Sequence, residues 1–358
     1  MTNSRATPCD YFASLQGLRS IAATAVVLFH LRPIEERRLP GPAILDNLVS
    51  HADAGVDLFF VISGFVMTTI LRGHAGGANA AVRFLSARAW RVLPMYWLFT
   101  SLVVVVMLAA PGMVNSSFPG QSALSSYLLL PHFQPPLLTV GWTLIHEAYF
   151  YLVFALAITT IGPKSLTPFL ILWCILTCIP HWLGVQSTSP WQRLIASPLT
   201  LEFIAGALLG LHWHRMPAHI GGYLMASGIA IYALAAMLLP DSYEPAREIW
   251  LRVACFGTAS ALIVVGAVML EAGGRVRVPQ WLRSLGNASY SLYLSHIFVL
   301  SAIGRAWSRL SPSDSLLNHA VFLLVAMAAS LFVAHIVHRS VERPLLELPK
   351  HLGIAARI

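Results

Sequence analysis

Charged and nucleophilic side chains recur in this chain where their neighbours are almost entirely apolar. In FASLQGLRSIAATAVVLFHL (12–31), Arg19 and His30 stand eleven residues apart. That separation is about three helical turns, so both side chains fall on one face, roughly 16 Å apart along the axis. Ala22, Ala23 and Val26 lie between them on that face, small enough to let another helix or a ligand approach closely. Asp57 opens the next apolar run, AGVDLFFVISGF, with Ser63 and Gly64 further along it. It reads either as a helix-end carboxylate, solvated or paired with an outer arginine, or as a functional group. In RFLSARAWRVLPMYW, Arg88 and Arg91 are three apart and share a face, with Arg83 close by. Two guanidiniums so placed suit bidentate recognition of phosphate, or anchoring at the inner membrane surface. Glu147 lies in GWTLIHEAYFYLVF, about six residues past the outer end of its run, at a depth comparable to that of His30. A carboxylate buried there needs a partner, and a histidine at the same level is a natural one. His146 is adjacent in the helix and points elsewhere. In LGNASYSLYLSH, Ser289, Tyr293 and His296 form one polar stripe, readable as an interhelical hydrogen-bond network or as catalytic groups.

The setting for these residues is set by composition. Of 358 residues, 57% are hydrophobic and 11% charged, and the mean hydropathy is +0.69. A soluble domain carries about 25% charged residues, so a soluble enzyme, a disordered tail and a disulfide scaffold are all excluded. The chain reads as an all-α polytopic integral membrane protein with about ten transmembrane helices, over 12–31, 54–71, 93–110, 142–161, 165–183, 199–213, 221–239, 249–270, 287–304 and 317–337. The Pro-rich stretch 123–140 is too short to span and is expected to be interfacial or re-entrant. Trp90, Tyr96 and Trp97 resemble an interfacial belt, and Pro344 is expected to stop the last helix.

With the N-terminus inside, fifteen of the 23 Lys and Arg residues fall on the cytoplasmic side and eight, Arg252 among them, outside. That asymmetry places both termini in the cytoplasm. The opening MTNSRATPCD has no cleavage-site pattern, so the first apolar run is read as a retained helix. The net charge of +8 comes from basic residues set singly between apolar segments, which topology explains better than nucleic acid. The four cysteines, Cys9, Cys174, Cys178 and Cys255, are too scattered for a metal site, and no metal is expected. Cys174 and Cys178, one turn apart, read as small hydrophobes. No internal repeat is evident, which argues against a transporter built from duplicated halves.

Taken in order, the Arg19–His30 pair, GVDLFFVISGF, FLSARAWRVLPMYW, WTLIHEAYFY and NASYSLYLSH resemble the membrane acyltransferase-3 family, over about residues 11 to 345. The resemblance implies a polytopic enzyme that moves an acyl group, usually acetyl, from acyl-CoA to a hydroxyl of a carbohydrate or glycolipid acceptor. By position, His30 and Glu147 match the family's catalytic centre, and Arg19, Arg88 and Arg91 match its arginines, expected here to bind acyl-CoA. Asp57, Ser63, Tyr293 and His296 are candidate supporting groups. His30 would act as general base or as transient acyl carrier, with Glu147 orienting the imidazole. One membrane-embedded domain is expected over 1–345, followed by a short cytoplasmic tail (346–358), in the bacterial inner membrane. Some family members add a periplasmic hydrolase-like domain, and none is expected here. Two other readings stay open: a transporter or flippase that moves a glycan or acyl intermediate without thioester chemistry, and a non-catalytic subunit of a polysaccharide assembly complex. Acceptor choice is expected to lie in the outer loops 32–50, 112–140 and 186–198.

Overall fold

The computed structural model of the chain describes residues 12–45, 49–71, 76–110, 120–161, 165–239, 245–311 and 313–351. Cys9, the end of the expected tail (352–358), and parts of the loops 32–50 and 112–140 lie outside them. Ten helices coincide with the expected spans: α1 (Ala13–Arg38), α2 (Gly55–Leu71), α3 (Ala78–Ala109), α4 (Trp142–Thr160), α5 (Leu166–Trp182), α6 (Leu199–His212), α7 (Gly221–Leu238), α8 (Thr258–Ala272), α9 (Ser289–Leu310) and α10 (Leu316–Val337). Among the described residues there is no strand. The fold is therefore all-α and polytopic.

Among the described residues, eight helical segments are long and apolar enough to cross a membrane, two fewer than the sequence predicts. The two that fall short are α5 and α9. With 17 residues, α5 is only about 25 Å long. The 22-residue α9 is diluted by Ser289, Ser291, Ser295, His296, Arg305 and Arg309. Exposed Leu172, Ile175 and Leu176 on α5, and Leu324 and Phe332 on α10, would be a liability in water. Against lipid chains they are in their proper solvent.

Two expectations are corrected at helix ends. The third span starts well before 93, because RFLSARAWR holds no helix breaker and α3 runs back to Gly77, whose φ of 111° ends it. At 32 residues, α3 is about 48 Å long, more than the roughly 30 Å of a hydrocarbon core, so its arginine-bearing start extends beyond that core. Pro344 does not stop the last helix. The helical run passes through it: a π-turn at His338–Glu342 joins α10 to a further helix from Arg343 to His351, with Pro344 in the first turn after the π-turn.

The chain divides into two compact units, Met1–Ile70 with Ala205–Ser340, and Leu71–Ile204 with Val341–Ile358. In the first, α1 packs on both sides. Leu15, Leu18 and Ala22 meet Leu58, Val61 and Phe65 of α2 and Val264 and Val268 of α8. Ala23, Val27 and Leu31 meet Leu292 and Leu300 of α9 and Phe322 and Ala326 of α10. The small-residue stripe of α1 thus serves helix packing. A Cβ at Gly55 would lie 2.4 Å from the Ala22 carbonyl oxygen, so only glycine permits that crossing. The open N–H groups of Ala13 and Ser14 donate to the Glu271 carboxylate at 2.8 Å each, which caps α1 from the end of α8.

In the last turns of α1, the buried Glu35 carboxylate accepts the backbone N–H groups of Ile44 (2.8 Å) and Leu45 (3.1 Å) from the chain that follows. His319 Nδ1 lies 2.7 Å from Glu35 Oε1, and His319 Nε2 donates to the Pro40 carbonyl at 3.0 Å.

The second unit is built around aromatic rings. Phe150 of α4 stacks on Phe203 of α6 at 4.4 Å, and Phe84 of α3 lies 6.1 Å from Phe154. Each such pair adds about 0.5–1.5 kcal/mol beyond burial. Tyr96 is not an interfacial residue as its neighbours suggested. It is fully buried, and its hydroxyl donates to the Ser126 carbonyl at 2.8 Å. Trp97 Nε1 donates to the Tyr127 carbonyl at 2.8 Å. Side chains of α3 therefore fasten the stretch 123–140, which holds a short helix at Ala123–Tyr127 and a 3₁₀ turn at Thr139–Gly141.

Candidate active site

In the first unit, α1 and α9 bring two histidines together. His30 is half-buried on α1, and its Nδ1 lies 2.9 Å from the Val26 carbonyl one turn back. His296 is wholly buried on α9, with Nδ1 3.1 Å from the Leu292 carbonyl. His296 Nε2 lies 3.3 Å from His30 Nδ1, and the ring centroids are 5.0 Å apart. Tyr293, one turn before His296, stands edge-on to Phe59 at 6.3 Å and 6.1 Å from the His296 ring. Ser289 is buried, and its Oγ has no hydrogen-bond partner among the described residues. The polar stripe read from α9 thus packs inside the unit, with His296 as its point of contact with α1. Arg19 is half-buried on α1, and Ser63 is half-buried on α2.

Asp57 belongs to an ionic cluster of the same unit, one member of which, Asp53, is within electrostatic reach of His30. Arg252 Nε donates to both Asp57 oxygens at 3.2 Å, while its other nitrogens bind Asp53 and the Asp53 carbonyl. Asp57 is fully buried and Arg252 is 6% exposed. Arg252 directly precedes a π-turn, Val253–Gly257, that leads into α8. Tyr232 of α7 donates its hydroxyl to the His51 carbonyl at 3.0 Å, and its ring packs against Phe256, closing the cluster with apolar surface.

In the second unit the charges stay partly open. The Arg88 guanidinium lies over the rings of Phe84 (5.8 Å) and Tyr151 (5.9 Å). The Tyr151 hydroxyl donates to Glu147 Oε1 one turn away on α4. Tyr151 is within electrostatic reach of Glu147, Arg88 and Arg91 together. Arg88, Arg91 and Glu147 are all half-buried. The pairing of Glu147 with His30 expected from the sequence joins residues of different units and rests on the sequence argument alone.

Sequence reasoning missed three members of these groups, Tyr151, Arg252 and Asp53. Tyr151 stands four residues after Glu147, the spacing that places two side chains on one helical face. Arg252 carries no local signal, because its partner Asp57 is 195 residues away in the chain. Cys174, Cys178 and Cys255 are half-buried free thiols. Among the described residues no three His, Cys, Asp or Glu side chains gather as metal ligands.

Among the described residues, eight helical segments long and apolar enough to cross a membrane define a polytopic membrane protein. A family model described as an acyltransferase domain, of the acyltransferase-3 family, matches residues 12–339, and the chain belongs to that family. It is a multi-pass membrane acyltransferase. The chain is 31% identical over 304 residues to the "Exopolysaccharide production protein ExoZ" of Rhizobium meliloti (strain 1021), covering 82% of this chain and 89% of that one. It is 24% identical over 327 residues to the "Putative peptidoglycan O-acetyltransferase YrhL" of Bacillus subtilis (strain 168), covering 81% of this chain. It spans only 49% of the Bacillus protein's length. No solved structure matches the chain.

Proposed function

We propose that this protein transfers an acyl group, acetyl in the first instance, from acyl-CoA to a hydroxyl of a carbohydrate or glycolipid acceptor. The transfer takes place in the bacterial inner membrane, with both termini cytoplasmic and residues 1–345 acting as one domain. The family match over residues 12–339 carries this reading, since all five motifs fall within it. The relatives' names, one for exopolysaccharide production and one for peptidoglycan O-acetylation, support a glycan acceptor and an acetyl donor.

Roles follow from the chemistry of each group. Arg88 and Arg91, half-buried on the part of α3 that outruns the hydrocarbon core, supply fork-shaped donors for the donor's phosphates. Arg19 supplies a further cation for the donor. Anionic phosphates would offset the cost of holding guanidiniums in a membrane helix. His30 serves as general base toward the acceptor hydroxyl or carries the acyl group transiently, and Glu147 is the second catalytic residue. Tyr293, Ser63 and Asp57 support the site through the helices that carry it.

The test is thiol release from acetyl-CoA by purified protein in nanodiscs, across a panel of sugar and glycolipid acceptors. We expect acceptor-dependent release in the wild type and a loss of about 10²–10⁴-fold in His30→Ala. Undiminished transfer by folded His30→Ala would overturn the assignment. Movement of a glycan across the bilayer without thiol release would put a flippase in its place.

A further inference from the structure

The two nitrogens of a histidine ring are distinct, and the bond made by one decides what the other can do. A backbone carbonyl oxygen only accepts, so a ring nitrogen that faces one must carry a proton. His296 Nδ1 faces the Leu292 carbonyl at 3.1 Å and is therefore an N–H. In the neutral ring its Nε2 is then a lone pair. His30 Nδ1 faces the Val26 carbonyl at 2.9 Å and is likewise an N–H. His296 Nε2 points its lone pair at this same N–H from 3.3 Å. The two rings are thus matched, donor to acceptor, and the proton on His30 Nδ1 is shared between two acceptors.

The geometry points to His296 as a positioning residue: together with the Val26 carbonyl it keeps the proton on His30 Nδ1, and so leaves Nε2 as the basic nitrogen. Among the described residues nothing hydrogen-bonds His30 Nε2. This inference rests on the acyl transfer proposed above and deepens it. In that reaction the acceptor hydroxyl gives its proton to His30 Nε2 as its oxygen bonds to the thioester carbonyl carbon. The C–S bond breaks, and the departing sulfur takes that proton, leaving an ester and a free thiol. While the imidazole is charged, its Nδ1–H remains between two acceptors already in place, so no reorganisation is needed when the charge develops. A route through an acyl group on Nε2 requires the same lone pair, and His296 serves it equally.

The sequence offered Glu147 for the orienting part, by analogy with the acid of a triad. Within the first unit that part is filled by an imidazole and a carbonyl. A neutral partner suits the place. His296 is fully buried beside Tyr293, and Leu292 and Leu300 of the same helix belong to the apolar cluster around α1. An unpaired carboxylate in such surroundings would be costly.

The experiment compares wild type, His30→Ala, His296→Leu and His296→Gln by acetyl-CoA thiol release in nanodiscs, with unfolding midpoints as controls. Glutamine places an amide oxygen close to where Nε2 stands, so it can accept from His30. Leucine fills the space without accepting. We expect His296→Leu to lower kcat by about 10- to 100-fold with KM for both substrates held within about twofold, and His296→Gln to recover most of the loss. Unchanged kcat in folded His296→Leu, or equal loss in both variants, overturns the role of His296, while an inactive His30→Ala leaves acyl transfer standing. An active His30→Ala overturns acyl transfer by this site itself. If His296→Leu does not fold, ¹⁵N spectra of histidine-labelled wild type decide, with His30 assigned by its absence in His30→Asn. An Nδ1–H tautomer upholds the inference, and an Nε2–H tautomer overturns it.

Discussion

Asp57 and Glu147 are both carboxylates near the start of a membrane helix, and the chain treats them in opposite ways. Asp57 is fully buried, and one guanidinium binds both of its oxygens. Asp53 completes that guanidinium's partners, and apolar rings cover the group. Glu147 is half-buried and takes a hydrogen bond from Tyr151, whose ring lies under Arg88. In the first group the buried guanidinium and Asp57 are matched to each other, and the surplus negative charge falls on Asp53, whose side chain is 28% exposed. The second keeps part of its charge accessible. An ionisable residue inside a membrane is a functional candidate by default, and the contrast supplies a finer criterion: whether the group is sealed off or left partly exposed.

The comparison can be broken most forcefully at Asp57. Removing it leaves a buried guanidinium short of its main partner, which we expect to cost about 3–5 kcal/mol. Asp57→Ala should therefore show a large drop in unfolding midpoint in detergent. A variant with unchanged stability and lost turnover would place Asp57 in the chemistry and erase the distinction. At the other pole, Tyr151→Phe removes one hydrogen bond to a carboxylate, worth about 1.5–3 kcal/mol. We expect that loss in turnover, with the unfolding midpoint nearly kept, and the reverse pattern would make Glu147 a structural carboxylate like Asp57. The smallest effect is expected from Arg88→Lys. It keeps the charge but loses the planar fork and the stacking on Tyr151, and should raise KM for acetyl-CoA by a few-fold to about tenfold. An unchanged KM would remove Arg88 from donor binding.

Helix order and most helix positions were legible from the apolar runs, because in a bilayer the length and polarity of a run nearly dictate its fate. His30 and Arg19 were legible as exceptions to that rule. What escaped depended on distant partners. Arg252 is an ordinary arginine in sequence, and only the fold brings it to Asp57. Tyr96 sits between aromatic residues that suggest an interface, yet it turns inward to hold Ser126, a contact set by the tertiary path of the 120–130 stretch. The meeting of His30 with His296 links positions 266 apart. Each histidine stood out alone, and their pairing did not. The extended start of α3 shows the converse error, in which the end of the apolar run was taken for the end of the helix.

The grip of Glu35 on the chain after α1 has a consequence for how such a protein can diversify. Its carboxylate holds the amides of Ile44 and Leu45, and every amino acid except proline has that amide. The clasp is therefore indifferent to which side chains the segment carries. New residues can be tried there over generations, or in a laboratory library, without loosening the path of the backbone, so a fixed frame can present a changing face.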